Sequence, residues 1–264
     1  MGILPTEKTK PNNDPAKLRW LFYAEPKTYK TTLASGFNEP LFIVTEKSTE
    51  ALTVYALPVN NWTEFQNIVK ELCAGNHKYK TVVIDVIDGL YRQCVRYACD
   101  KLKIEHLSEA GFAKAYHFVD NEFEHLLNKL EMAGLGIIFN SHLNEKEVQT
   151  KTGSYTKIVP GLAPRGRAVL EPKVTVIGRI QWERMKKVGV PGLVYENKLI
   201  IDFKQTSTLL VGDRTGKLPA KLVLHTIPED IIMTEDIIAD YAKKNYQLIE
   251  SYFKDKQIEK EDVK

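Results

Sequence analysis

Four short apolar runs, separated by segments of helical periodicity, constrain the fold of this chain most strongly. They are Leu18–Tyr23, Pro40–Glu46, Tyr79–Asp85 and Gly134–His142. Continuous apolar runs of this length read as strands buried on both faces, which is the habit of a parallel sheet. Trp62, Phe65, Ile68, Val69 and Leu72 recur at helical spacing, with Asn61 placed as N-cap and Gly75 beyond the end. Further helices are predicted at about Gly89–Leu102 and Tyr116–Met132. Strands alternating with helices in this way require crossover helices against the sheet. The predicted class is α/β, with a mainly parallel central sheet flanked by helices.

The second half of the chain reads differently. From Leu143 to Pro164 polar residues dominate without periodicity, which predicts a long functional or mobile loop. Strands follow at Lys173–Arg179 and Gly192–Lys204, the latter broken by a turn at Tyr195-Glu196-Asn197-Lys198 between Leu193-Val194 and Leu199–Phe203. Gly212–Pro219 is turn-rich, Lys221–His225 is a short strand, and Pro228 to about Phe253 is a C-terminal helix. Residues 1–17 read as a flexible leader, 18–227 as the core, and 228–264 as the helix with a charged tail.

At 264 residues such a chain can bury a substantial core, and 43% hydrophobic with 27% charged residues is ordinary for a soluble globular protein. A net charge of only +3 means that any nucleic-acid surface must come from local clustering. No stretch approaches the length of a bilayer-spanning helix, and MGILPTEKTKPNND lacks the apolar centre of a signal peptide. A cytoplasmic protein with no membrane partner is expected. Cys73, Cys94 and Cys99 show no CxxC spacing and read as reduced thiols, and no His/Cys/Asp group has zinc spacing.

The chemistry concentrates after the first strand. Ala24-Glu25-Pro26-Lys27-Thr28-Tyr29-Lys30-Thr31-Thr32 has the layout of a phosphate-binding loop, with Ala24 and Tyr29 standing where the pattern has glycine. Backbone N–H groups over Glu25–Thr32 would cradle phosphates, Lys30 would reach the β- and γ-phosphates, and the Thr31 hydroxyl would enter a Mg²⁺ shell. Tyr29 costs about 1–2 kcal/mol if it must sit at positive φ. Any strand-turn-helix beginning with Lys-Thr has the same appearance, so the other strand ends carry weight. Asp85 ends an apolar strand where a nucleotide site holds its metal, although an aspartate there can also cap the next helix. Glu46 is a candidate to activate water, or else a solvent-facing loop charge. His142, before the polar loop, is a candidate γ-phosphate sensor or a satisfied structural histidine.

In order, EPKTYKTT, LFIVTEKSTEAL, TVVIDVIDGL and IIFNSH resemble the ATPase core of the RecA recombinase family, and the likeness continues through PRGRAVLEPKVTVIGRI and ENKLIIDFKQ. The combination of EPK-x-x-KTT-LAS, LF-x-x-TE, YKTVVID and GDRTGKLP is similar to phage-encoded ATP-binding proteins with a RecA-type core, some of which act in single-strand annealing. The resemblance implies a RecA-like P-loop NTPase core using ATP and Mg²⁺. On its motifs Lys30 and Thr31 serve phosphate and metal, Asp85 the metal, and Glu46 the attacking water. His142 falls where the family couples nucleotide to its DNA loop through a glutamine. Lys198 falls on a lysine that reaches a neighbouring subunit's nucleotide. The implied setting is a phage protein in the host cytoplasm, acting as a homo-oligomer on single-stranded DNA in recombination, with a single-strand-binding protein as accessory partner. The missing glycines, Val86 after the metal aspartate and His142 in place of glutamine bear on hydrolysis rate rather than binding.

For DNA the expected contacts are Lys146, Lys151, Tyr155 and Lys157 on the polar loop, with Arg165-Gly166-Arg167 as its most concentrated basic point. Glu145 and Glu147 dilute that charge, and a solvated loop without a ligand is the alternative. Two other functions fit the same sequence: a non-hydrolysing RecA-like module that binds nucleotide or protein, and a small-molecule kinase. The absence of a recognisable lid motif counts against the kinase.

Overall fold

The computed structural model describes residues 4, 6–8, 12–187, 195–227 and 231–254. The strands are β1 (Arg19–Ala24), β2 (Pro40–Val44), β3 (Tyr55–Pro58), β4 (Thr81–Asp85), β5 (Gly136–Thr150), β6 (Gly153–Pro160), β7 (Val176–Lys186), β8 (Tyr195–Asp202), β9 (Gly212–Asp213) and β10 (Lys221–Val223). The helices are α1 (Lys30–Ser35), α2 (Trp62–Ala74), α3 (Ile87–Leu102), α4 (Lys114–Met132), α5 (Pro164–Leu170) and α6 (Glu235–Lys254). The main sheet runs β10-β8-β7-β1-β5-β4-β2-β3. It is parallel from β7 to β3 and antiparallel where β8 and β10 are added.

Each central strand alternates between two apolar layers, so both faces must be covered. Leu21, Ile43, Val82, Ile84, Ile137 and Phe139 join Trp62, Phe65, Leu90, Phe123 and Leu127 of α2, α3 and α4. Trp20, Phe22, Phe42, Val83 and Ile138 turn the other way, onto Leu33 of α1 and Tyr246, Ile249 and Phe253 of α6. Helix α6 packs directly on α1. The approach is so close that a Cβ on Gly36, at the end of α1, would stand 2.1 Å from the Ala242 carbonyl oxygen.

The four apolar runs are strands in the structure, and Asn61 caps α2 by accepting from the Glu64 N–H, with Gly75 in the left-handed region beyond it. The stretch 143–164 corrects the sequence reading. It is not a loop: β5 continues past His142 and pairs antiparallel with β6, and only Lys151 and Thr152 turn between Thr150 and Gly153. This arm is largely exposed, so it has no buried face to impose alternation, and its periodicity is lost. Tyr195–Lys198 is likewise strand rather than turn, because β8 pairs with β7 from Lys186↔Tyr195 to Arg179↔Asp202. The expected hydrophobic pair Leu193-Val194 lies outside the described residues, as do 228–230 and the tail from 255. The C-terminal helix, expected from Pro228, begins at Glu235, since 231–234 are not helical. The sequence reading did not include the edge strand β3 or the short helix α5. Residues just before β1 are packed: Asp14 caps a 3-10 turn over Pro15–Lys17, and Trp20 Nε1 donates to the Pro15 carbonyl. Among the described residues no helix is long and apolar enough to cross a membrane.

Gly36→Ala places a methyl where α6 backbone already stands. The expected loss is about 1–3 kcal/mol, the usual cost of overpacking, measured as a lower urea midpoint at unchanged slope.

Candidate functional site

Four strand ends converge at the carboxyl edge of the sheet, where α/β folds form their ligand crevices. From β1 the chain enters the loop Glu25–Tyr29 and then α1. Lys27 and Tyr29 take positive φ, 62° and 61°, and so supply the left-handed turns that glycine usually supplies. Thr28 braces the loop by donating to the Glu25 carbonyl at 2.6 Å. The Lys30 ammonium turns back under the loop and donates to the carbonyls of Ala24 and Glu25, each at 3.2 Å. Burial pushes its pKa below the ordinary value, while Asp85, Glu46 and Asp88 act in the opposite sense.

Thr31 Oγ1 donates to Asp85 Oδ2 at 2.7 Å. Asn140 on β5, the strand between β1 and β4, donates to the other oxygen at 3.2 Å. Asp85 is buried, and its carboxylate is satisfied from two neighbouring elements. The peptide that follows it, Asp85–Val86, is cis. Thr45 Oγ1 both accepts from the Val86 N–H and donates to the Val86 carbonyl. This close approach needs Gly89, where a Cβ would come within 2.2 Å of that hydroxyl. The clamp carries Glu46 to the cleft mouth, and there Glu46 Oε2 lies 3.2 Å from His142 Nε2.

Asp88 holds the root of the β5–β6 arm by accepting from the Ser141 hydroxyl at 2.6 Å and the His142 N–H at 2.8 Å. Burial raises its pKa against the pull of those two hydrogen bonds. Pro26 to Thr32, Glu46, Asp85 and His142 thus line one cleft of about 420 Å³, together with Lys47, Ser48 and Val86. Glu25 does not line the cleft; its carbonyl accepts from Thr28 and Lys30 beneath the loop.

Thr31 and Asp85 offer two oxygen ligands side by side. That suits Mg²⁺, which keeps several waters and takes only one or two protein oxygens beside substrate phosphates. The donor set therefore fits the metal, and the buried cation of Lys30 fits a polyphosphate.

Other sequence-predicted residues lie elsewhere. Lys198 is on β8, ion-paired with Glu196 at 3.2 Å, and does not line this cleft. Lys146, Tyr155 and Lys157 lie on the β5–β6 arm and Lys151 at its tip. Arg165 is on α5, pairing with Asp120 at 2.5 Å and lying over Tyr116. Arg167 is buried and donates to the Pro160 carbonyl, so of the Arg-Gly-Arg point only Arg165 is exposed to solvent. Asn140, Asp88 and Thr45 escaped the sequence reading. The polar triplet Asn140-Ser141-His142 closing an apolar strand was the available signal.

The Tyr29 ring packs on β7 and α6. Its centroid lies 6.2 Å from Trp182 on β7 and 6.0 Å from Tyr241 on α6, and its hydroxyl lies 3.9 Å from Met233 Sδ.

Residues 16–215 match the AAA_24 family, described as an AAA domain. The chain is also 27% identical over 132 residues to the SPbeta prophage-derived uncharacterized protein YorG of Bacillus subtilis strain 168. That match covers 47% of this chain and 40% of the relative, so the chain spans about two-fifths of that protein's length.

Tyr29→Gly relieves about 1–2 kcal/mol of left-handed strain but removes two aromatic contacts worth about 0.5–1.5 kcal/mol each besides their buried area. The expected outcome is a lower unfolding midpoint with no gain in ATP affinity by calorimetry. A gain in affinity would mean that the side chain narrows the phosphate cradle.

Proposed function

The chain belongs to the AAA domain family AAA_24, and from that premise we propose that it is a P-loop NTPase of phage type that binds ATP with Mg²⁺ and acts on single-stranded DNA. The observation that carries the nucleotide reading is the contact of Thr31 with Asp85 beside the buried Lys30 ammonium. Lys30 would exchange two backbone carbonyls for phosphate oxygens. Thr31 and Asp85 would hold the metal, which supplies charge neutralisation at the phosphates. Glu46 is the carboxylate placed to orient water. One of its oxygens, Oε2, is engaged by His142, which leaves Oε1 for the water. The phage-derived relative supports the phage setting.

The DNA reading rests on the register of the β5–β6 arm. Lys146 stands directly opposite Lys157, and Val148 opposite Tyr155, on one face. Glu145 and Glu147, opposite Ile158 and Thr156, are on the other. Pairing therefore separates the charges that the linear sequence mixes. Two facing lysines repel each other and favour an anion between them, although Glu171 offsets Lys157 in part. With Tyr155 as a stacking surface beside them, a single strand is the chemistry this face suits. Recombination or annealing in a homo-oligomer, with a single-strand-binding protein as partner, extends this reading. Lys198 would then serve a neighbouring subunit.

Two measurements test the proposal. Lys30→Ala is expected to abolish ATP binding, whereas Glu46→Gln keeps binding and loses any DNA-stimulated turnover. Reversing Lys146 and Lys157 to Glu is expected to weaken single-strand binding and flatten its log–log salt slope by about 1.4, about 0.7 per lost phosphate contact. Glu145→Gln with Glu147→Gln should leave the slope unchanged. Equal effects from the two faces would contradict the assignment.

A further inference from the structure

Trp182 is 45% exposed, unlike Trp20 and Trp62, which are buried at 0% and 1%. A single exposed apolar side chain is ordinary in itself; what marks Trp182 is that, without lining the cleft, it packs on Tyr29, which does. Its position is set by the register of β7. That strand pairs with β1 as far as Arg179↔Tyr23, and Trp182 lies three residues further along. At about 3.3 Å per residue the indole therefore stands about 10 Å beyond the end of that pairing, level with the loop that follows β1. Trp182 shares its face of the strand with Ile180, whose side chain packs in the layer of α1 and α6. Its ring meets that of Tyr29 at 78°, an edge-to-face arrangement, so the two rings are not stacked face on face.

The direction of a bound polyphosphate follows from the strand order. Asp85, Glu46 and His142 come from β4, the end of β2, and β5, all on one side of β1. Strand β7 is on the other side. A triphosphate whose terminal group lies at Asp85, Glu46 and His142 crosses the loop and passes its nucleoside out over β7. We propose that Trp182, backed by Tyr29, is the base platform of this site, the ligand being a nucleoside triphosphate whose base stacks on the indole. Tyr29 thereby joins the phosphate cradle, through its backbone, to the base platform, through its ring. This assignment rests on the nucleotide-binding reading above and adds the site of the base to it.

The test compares Mg²⁺–ATP with Mg²⁺–tripolyphosphate, which lacks the base, by calorimetry on the wild type, Trp182→Ala and Trp182→Phe. Stacking of one base predicts an ATP affinity about tenfold weaker in Trp182→Ala, tripolyphosphate affinity unchanged, and most of the loss restored in Trp182→Phe. ATP should also shift the tryptophan emission of the wild type and not that of Trp182→Phe, whose remaining tryptophans are buried. If ATP binds the wild type and Trp182→Ala changes neither ligand, or weakens both equally, the base platform is wrong and the nucleotide site stands. If the wild type binds neither ligand, the nucleotide reading falls and the platform with it.

Discussion

The hydrogen bond from Thr31 to Asp85 joins the start of α1 to the end of β4. Strands β1 and β4 are separated by β5, so the loop after β1 and the acid ending β4 meet only above the sheet edge. Asn140, on the intervening strand, takes the second carboxylate oxygen and makes the three strand ends one unit. A buried carboxylate left without partners costs several kcal/mol. That cost gives the contact its hold on the surrounding geometry, and every other feature of the site is arranged around it. Gly89 lets Thr45 fasten the Glu46 segment to Val86, and Asp88 fastens the strand carrying His142.

Charge completes the logic. The Lys30 ammonium is buried under the loop, hydrogen-bonded among the described residues to two carbonyls, and its pKa is depressed by that burial. A cation so placed gains most from a strong anionic partner. Lys30, Thr31 and Asp85 each hold a protein partner that a metal-bound phosphate can replace in kind: carbonyl by phosphate oxygen, hydroxyl–carboxylate contact by metal. The loop keeps its curvature without glycine because Lys27 and Tyr29 accept left-handed dihedrals, and packing of the Tyr29 ring on Trp182 and Tyr241 offsets the strain there.

Much of this was legible from residue order. The buried parallel strands announce themselves as unbroken apolar runs, because both faces are covered. Lys30, Thr31, Glu46, Asp85 and His142 are legible because each closes or follows such a run. The arm after His142 was not, since a two-stranded ribbon in solvent carries no hydrophobic alternation; its signals were the β-branched residues and the turn before Gly153. Arg167 shows the opposite failure: within an Arg-Gly-Arg cluster that looks like surface, its side chain is buried against the Pro160 carbonyl while Arg165 stays exposed. The contacts of Tyr29 with Trp182 and Tyr241 join residues more than 150 positions apart, and no local pattern encodes them. Pairing register mattered most for charge, since it alone separates Lys146 and Lys157 from Glu145 and Glu147.

The most direct test of the central claim is a high-resolution structure of the protein with Mg²⁺ and a non-hydrolysable ATP analogue. The account predicts the metal between Thr31 Oγ1 and Asp85, Lys30 Nζ moved from the Ala24 and Glu25 carbonyls onto phosphate oxygens, and the Tyr29 ring still against Trp182. A nucleotide bound elsewhere, or Lys30 still held by those two carbonyls at saturating analogue, would contradict it.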